Sequence, residues 1–205
     1  MTAGLSERQT AKREQIATAA RKLFLELGYA GTSMDAVSAE AGVSKQTLYT
    51  YFPAKVDLLK AILDAELSQI ELDGVLPQPQ TLAELRQLLL RFAQRLTRSL
   101  LHPDSVALIR LVLGEAFRIP ELRNTVRQAL PLRALHTIAA IVGRADEVGL
   151  VNAPDTDLAA RMLLGTIMTY VALDGFLNIE PVVPPSDATL ERLVDYFLTM
   201  VEVKP

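Results

Sequence analysis

Four polar residues at helical spacing, Gln46, Thr47, Tyr49 and Thr50, are where this 205-residue chain carries side chains suited to chemistry. A helix turns by about 100° per residue. With Leu48 facing a core, Phe52 falls beside it, Gln46 and Thr50 point directly away, and Thr47 and Tyr49 take the shoulders. Such a face is short, neutral and rich in donors and acceptors. It buries itself poorly and suits the reading of base edges in a major groove. Lys45, Tyr51 and Lys55 stand at the ends of the same segment, and Thr32 and Ser33 begin the one before it, at places where phosphates would lie. The chemistry predicted is recognition rather than bond-making.

The elements that position this face follow from the stretch 32–55. Thr32 is placed to cap a short helix, with Asp35 closing the cap. Met34, Val37 and Ala41 give that helix an apolar side. Gly42 supplies a residue free to take positive φ, Val43 plugs the turn, and Ser44 caps the second helix, KQTLYTYF. Pro53 stops it. This is a helix-turn-helix whose second helix does the reading. A preceding helix, with Ile16, Ala20, Leu23, Phe24 and Leu27 as its stripe and Gly28 as its stop, braces the pair. Arg8, Lys12 and Arg13 near its start either reach a phosphate backbone or form a solvated face.

The run Gly42, Val43, Ser44, Thr47, Leu48, Tyr49, Tyr51, Phe52 and Lys55 resembles the signature of TetR-family transcriptional regulators, and the likeness covers roughly residues 8 to 62. A weaker likeness to one TetR/AcrR subgroup lies at 110–126. The resemblance implies a dimer, a small-molecule effector in the body, and a four-helix dimer interface built from the last two helices of each copy.

Composition agrees with a folded regulator. Half the residues are hydrophobic and cysteine is absent, which removes disulfides and thiol chemistry and fits a reducing cytoplasm. The N-terminus has no apolar core of a signal peptide, and the longest uncharged apolar stretch, 162–173, is too short to span a bilayer. No membrane association is therefore expected. Net charge is −3, yet residues 1–60 hold eight basic and six acidic side chains, so a +2 head sits on a −5 remainder. His102 and His136 are isolated. No GxSxG elbow, phosphate-cradling glycine loop or carboxylate cluster is present, so neither catalysis, metal nor cofactor is expected.

The expected fold is all-α, with about nine helices: a DNA-binding domain over 1–55 and an effector-binding and dimerisation domain over 56–205. A linker is read at 72–80, with Gly74, Pro77 and Pro79. Thr81, Asp155 and Ser186 cap body helices, and Gly149 stops one. The segment 155–177 is apolar nearly all round and must be covered on two sides. Its partner surface is assigned to Met162, Gly165, Tyr170 and Leu173 with Leu193 and Phe197 of the last helix; Gly165, Ala172 and Gly175 permit close approach. Arg110, Glu115 and Asp174 lie among apolar residues and read as structural ion pairs or interface bonds, or else as polar anchors in a ligand cavity. An effector pocket is assigned to Phe92, Leu96, Leu111, Phe117, His136 and Met168, an apolar lining suited to an aromatic or lipophilic ligand. The function expected is a homodimeric repressor on a palindromic double-stranded operator. An architectural DNA binder without an effector, and a helical small-molecule binding module or enzyme, are the other classes these features allow.

Overall fold

The computed structural model describes residues 7–68, 77–129, 131–178 and 182–201. Among them there are ten α-helices and no strand. In chain order they are α1 (Glu7–Gly31), α2 (Met34–Glu40), α3 (Lys45–Tyr51), α4 (Lys55–Ser68), α5 (Leu82–Leu100), α6 (Pro103–Ala116), α7 (Pro120–Ala129), α8 (Pro131–Glu147), α9 (Thr156–Tyr170) and α10 (Asp187–Met200). A π turn, Val171–Phe176, extends α9. The expected linker at 72–80 lies outside the described residues up to 76; from Pro77 the chain is non-helical until α5.

The chain divides into two compact units. The first joins residues 1–66 with 107–129, and the second joins 67–106 with 130–205. In the first, Ile16, Phe24, Val37, Leu48, Phe52, Leu58 and Leu59 share one core with Leu108, Val112 and Leu122. Helix α4, the later part of α6 and α7 thus pack with the helix-turn-helix. The two seven-residue helices of the corner bury too little apolar surface alone, and α1 with these additions supplies it. In the second unit, α9 packs on α8, and α10 packs on α5 and α9, around Leu89, Phe92, Leu96, Ile138, Ile141, Ile167 and Phe197.

Local chemistry sets most helix ends. Ser44, Thr81, Asp155 and Ser186 accept hydrogen bonds from the backbone N–H groups of Thr47, Glu84, Leu158 and Thr189 at 2.9–3.2 Å. Gly28 takes φ 76°, ψ 164° and breaks the line of α1. One cap is displaced from its expected residue. Ser33, not Thr32, caps α2, its Oγ accepting from Ala36 N at 3.1 Å.

Helix α9 with its π turn, Thr156–Phe176, runs for 21 residues and includes an 18-residue stretch of mean hydropathy 1.2, long and apolar enough to cross a membrane by length and composition. Length therefore does not exclude a span, as the shorter stretch suggested. The amphipathic layout argues against one: Ala159, Ala160, Leu163, Ile167 and Val171 are core, while Asp157, Arg161, Gly165, Thr166, Thr169 and Asp174 are exposed.

Candidate nucleic-acid interface

The reading helix is held by its neighbours through backbone groups. Between α2 and α3, Gly42 adopts φ 61°, and Val43 N donates to Ser38 O at 3.0 Å. Helix α1 braces the same corner. Gln15 Nε2 donates to the carbonyl of Ala41 at 2.7 Å, satisfying the end of α2, and Lys22 pairs with Glu40 at 2.6 Å. Arg13 lies over the Phe52 ring at 4.7 Å. Gln15 is a positioning residue that no sequence signal marks, because its acceptor is a backbone carbonyl 26 residues away.

On this frame α3 presents its face as expected. Leu48 and Phe52 are fully buried, Gln46 and Thr50 are exposed, and Tyr49 is 48% exposed. Thr47 is half-buried, its hydroxyl 2.8 Å from that of Ser44. The Thr50 hydroxyl donates back to Gln46 O at 2.8 Å, leaving its methyl and a lone pair outward. All four proposed base-reading residues therefore stand on one helix with donors, acceptors and a methyl at the surface.

The five phosphate candidates do not share one environment. Ser33, Lys45 and Tyr51 are at least partly open to solvent. Thr32 is only 2% exposed, and its hydroxyl donates to Leu23 O at 3.1 Å and Gly28 O at 2.9 Å. Its side chain closes the end of α1 and is not available to a phosphate. Lys55 is committed in the same way. Its ammonium donates to the carbonyls of Tyr29 at 2.6 Å, Thr32 at 2.8 Å and Ala30 at 3.5 Å, and sits 4.4 Å from the Tyr29 ring centre. Partial burial pushes its pKa below the usual lysine value, and the Glu115 carboxylate of α6 opposes that shift. Lys55 serves the orphan carbonyls that a helix end leaves unsatisfied.

The body residues assigned to an effector pocket are divided between the two compact units. Phe92 and Leu96 are core of the second unit, Leu111 and Phe117 belong to the first, Met168 is half-buried and His136 is exposed. Phe117 is 80% exposed, at the end of α6. Helical spacing shows which residues share a face but not which face meets a cavity, so the set could not be read from it. The charges expected as buried pairs differ too: Arg110 and Asp174 are exposed and Glu115 is half-buried.

A groove of about 280 Å³ lies between α9 and α10, lined by Met162, Thr166, Tyr170, Arg192, Tyr196 and Met200 among others. Of the six residues assigned to a partner surface, Met162, Gly165 and Leu173 are exposed and Tyr170 is half-buried. Leu193 and Phe197 are buried and line the inner side of that groove, and the outward side of α10 is carried by Arg192, Tyr196 and Met200. The small residues divide as well. No atom lies within 4 Å of a Cβ placed on Gly165, whereas one on buried Gly175 would clash with Leu101 Cδ2.

Comparison with known proteins agrees with this geometry. Residues 16–62 match the model of the bacterial regulatory proteins of the tetR family, and 87–202 match the C-terminal domain of AefR-like transcriptional repressors. An HTH-type transcriptional regulator of Mycobacterium tuberculosis is 29% identical over 175 residues, 85% of this chain and 79% of that protein. The HTH-type transcriptional repressor KstR of Rhodococcus jostii is 38% identical over 85 residues, 42% of this chain and 40% of KstR. The structure of the flavonoid-responsive regulator FrrA superposes with a TM-score of 0.72 at 28% identity, covering 94% of this chain and 95% of FrrA. With a polar reading helix set in a capped helix-turn-helix, and with family models matching both its head and most of its body, the chain belongs to the TetR family of DNA-binding transcriptional regulators.

Proposed function

We propose that this regulator is a homodimeric repressor, released from a palindromic operator by a small apolar or aromatic effector. The observation that carries the reading is the face of α3. Gln46, Thr47, Tyr49 and Thr50 stand outward from a helix whose ends and neighbours are otherwise hydrogen-bonded. These four read base edges and thymine methyls, and Ser33, Lys45 and Tyr51 hold phosphates. The names of the AefR-like domain and of KstR support repression.

Two reading helices reach half-sites about one helical turn apart, on the order of 34 Å, only when two copies are held together. Apolar side chains on the outward side of α9 and α10 support that pairing: Met162, Leu173, Tyr196 and Met200 stand exposed there beside polar residues such as Thr166 and Arg192. Residues 1–55 carry the DNA role and 56–205 the effector and pairing roles. An effector bound in the body shifts α4 and so changes the spacing of the reading helices. By linkage, it weakens DNA binding by the factor by which DNA weakens its own binding.

The test is a salt-dependent titration of the full chain on the DNA flanking its own gene, with scrambled DNA of equal length beside it. Tight, steeply salt-dependent binding to one palindromic segment is expected, followed by release on adding a ligand. The flavonoid response in FrrA's name makes planar aromatic compounds the first to screen. Equal, weak binding to both DNAs would place the operator elsewhere or turn the reading towards an architectural or non-regulatory role.

A further inference from the structure

Lys45 opens α3, and its ammonium lies 2.6 Å from Oδ2 of Asp35, in the first turn of α2. The two side chains are 65% and 62% exposed. So open a pair contributes little to folding, because water and salt solvate each charge almost as well as the partner does. Its placement is nevertheless fixed. Ser33 and Ser44 cap the two helices, the Gly42 turn joins them, and Val43 N donates to Ser38 O across the corner. The carboxylate is therefore held within reach of the one reading-helix residue that carries a positive charge.

Lys55 makes the contrast plain. Its ammonium is enclosed by carbonyls and the Tyr29 ring, so an approaching anion would have to dismantle a helix end. Lys45 exchanges its partner in open solvent. A carboxylate offers an ammonium the same charge sign and the same kind of acceptor oxygen as a phosphodiester does.

We propose that Asp35 is an internal competitor for the DNA phosphate at Lys45, and so lowers the affinity of the regulator for DNA of any sequence. This deepens, and rests on, the reading of α3 as the DNA-reading helix. When DNA docks, the phosphate takes the ammonium and the carboxylate is left beside a polyanion. The cation it then attracts offsets part of the counterion release that the Lys45–phosphate contact would otherwise give. The competition acts on the backbone contact alone. The base-reading residues then decide whether the complex persists.

The experiment measures binding of the full-length protein to scrambled duplex DNA across a range of salt concentrations. Four proteins are compared: the natural chain, Asp35→Asn, Lys45→Met and the double variant. Asp35→Asn is expected to bind about two- to five-fold more tightly per reading head, with a salt slope steeper by up to about one unit per head. In the Lys45→Met background the same substitution should have a much smaller effect. Glu40→Gln is the control, because Glu40 sits on the same helix and is paired with Lys22 instead. An equal gain from Glu40→Gln, or an undiminished gain without Lys45, would show that only net charge matters and would overturn the proposal. So would an unchanged slope in Asp35→Asn. If the natural chain itself bound duplex DNA with no salt dependence, the DNA reading would fall and this proposal with it.

Discussion

The outward face of α3 and the outward face of α9 and α10 are both open to solvent, yet they differ in how much apolar surface they leave uncovered. On α3 the open residues are Lys45, Gln46, Tyr49 and Thr50, of which only Tyr49 carries a large apolar surface. On α9 and α10 they include Met162, Leu173 and Met200, together with Tyr196 at 69% exposure. Leaving apolar area in water costs about 25 cal/mol per Å². The first face can therefore stand uncovered between binding events, as a reversible reader must. The second is costly to leave bare and suits a lasting partner. An interface that persists and one that exchanges can thus be told apart within one chain by what each does in the absence of its partner.

The largest expected effect breaks the second face. Tyr196→Glu places a charge in the proposed pairing surface, at a cost on the order of 3–5 kcal/mol for an unpaired buried charge. Light scattering coupled to size exclusion should report a monomer, while circular dichroism should remain that of the folded chain. Operator affinity should fall with it, since one reading head reaches one half-site. An unchanged molar mass would remove this face from the dimer.

Within the head, two lysines should separate. Lys55→Met leaves three carbonyl acceptors without their donor and is expected to lower head stability by about 1–3 kcal/mol. The salt slope of the folded protein should stay unchanged. Lys45→Met should do the reverse, leaving the melting temperature in place and lowering the slope by about one unit per head. Equal slopes for the two variants would return Lys55 to the phosphate contacts.

A pair of glycines sharpens the comparison further. At Gly42, φ 61° demands the left-handed region and an added Cβ meets nothing within 4 Å, so Gly42→Ala costs conformational energy alone, about 1–2 kcal/mol. At Gly175 the difficulty is packing, since the Cβ would clash with Leu101 Cδ2. Overpacking of that kind costs roughly 1–3 kcal/mol. Shortening Leu101 to Val should rescue Gly175→Ala, and no second substitution at a neighbour should rescue Gly42→Ala. Thermal melts of the single and double variants decide it.

What the sequence made legible is chemistry that acts over one helical turn. Ser44, Thr81, Asp155 and Ser186 cap the helices they were expected to cap, because a hydroxyl or carboxylate before an apolar period has few other uses. At 32–33 two hydroxyl residues compete, and spacing does not say which one turns inward; Thr32 does. The exposed face of α3 was legible for the same local reason. Long-range partners were not. A lysine side chain ending on the carbonyls of Tyr29 and Thr32, or Gln15 ending on that of Ala41, leaves no mark in the sequence, since every residue carries such an acceptor. The packing of 107–129 with the head and the division of the six pocket residues between the two units belong to the same class, fixed by tertiary contacts alone.

The smallest effect concerns pH in the body. The Arg86 guanidinium donates to both carboxylate oxygens of Asp195, tying α5 to α10, and holds that carboxyl below its ordinary value of 3.8. A carboxylate whose pKa is lower in the folded state stabilises the fold above its unfolded value, and that gain is lost as pH falls through the folded value. Asp195→Asn should therefore lower the melting temperature at neutral pH, and the gap from the natural protein should close as the pH drops below about 3.8. Both side chains are largely solvated, so salt should shrink the gap as well. A gap independent of pH and salt would mean that Asp195 acts through packing rather than charge. The α5–α10 tie would then join the permanent, apolar part of the body rather than its exchangeable surface.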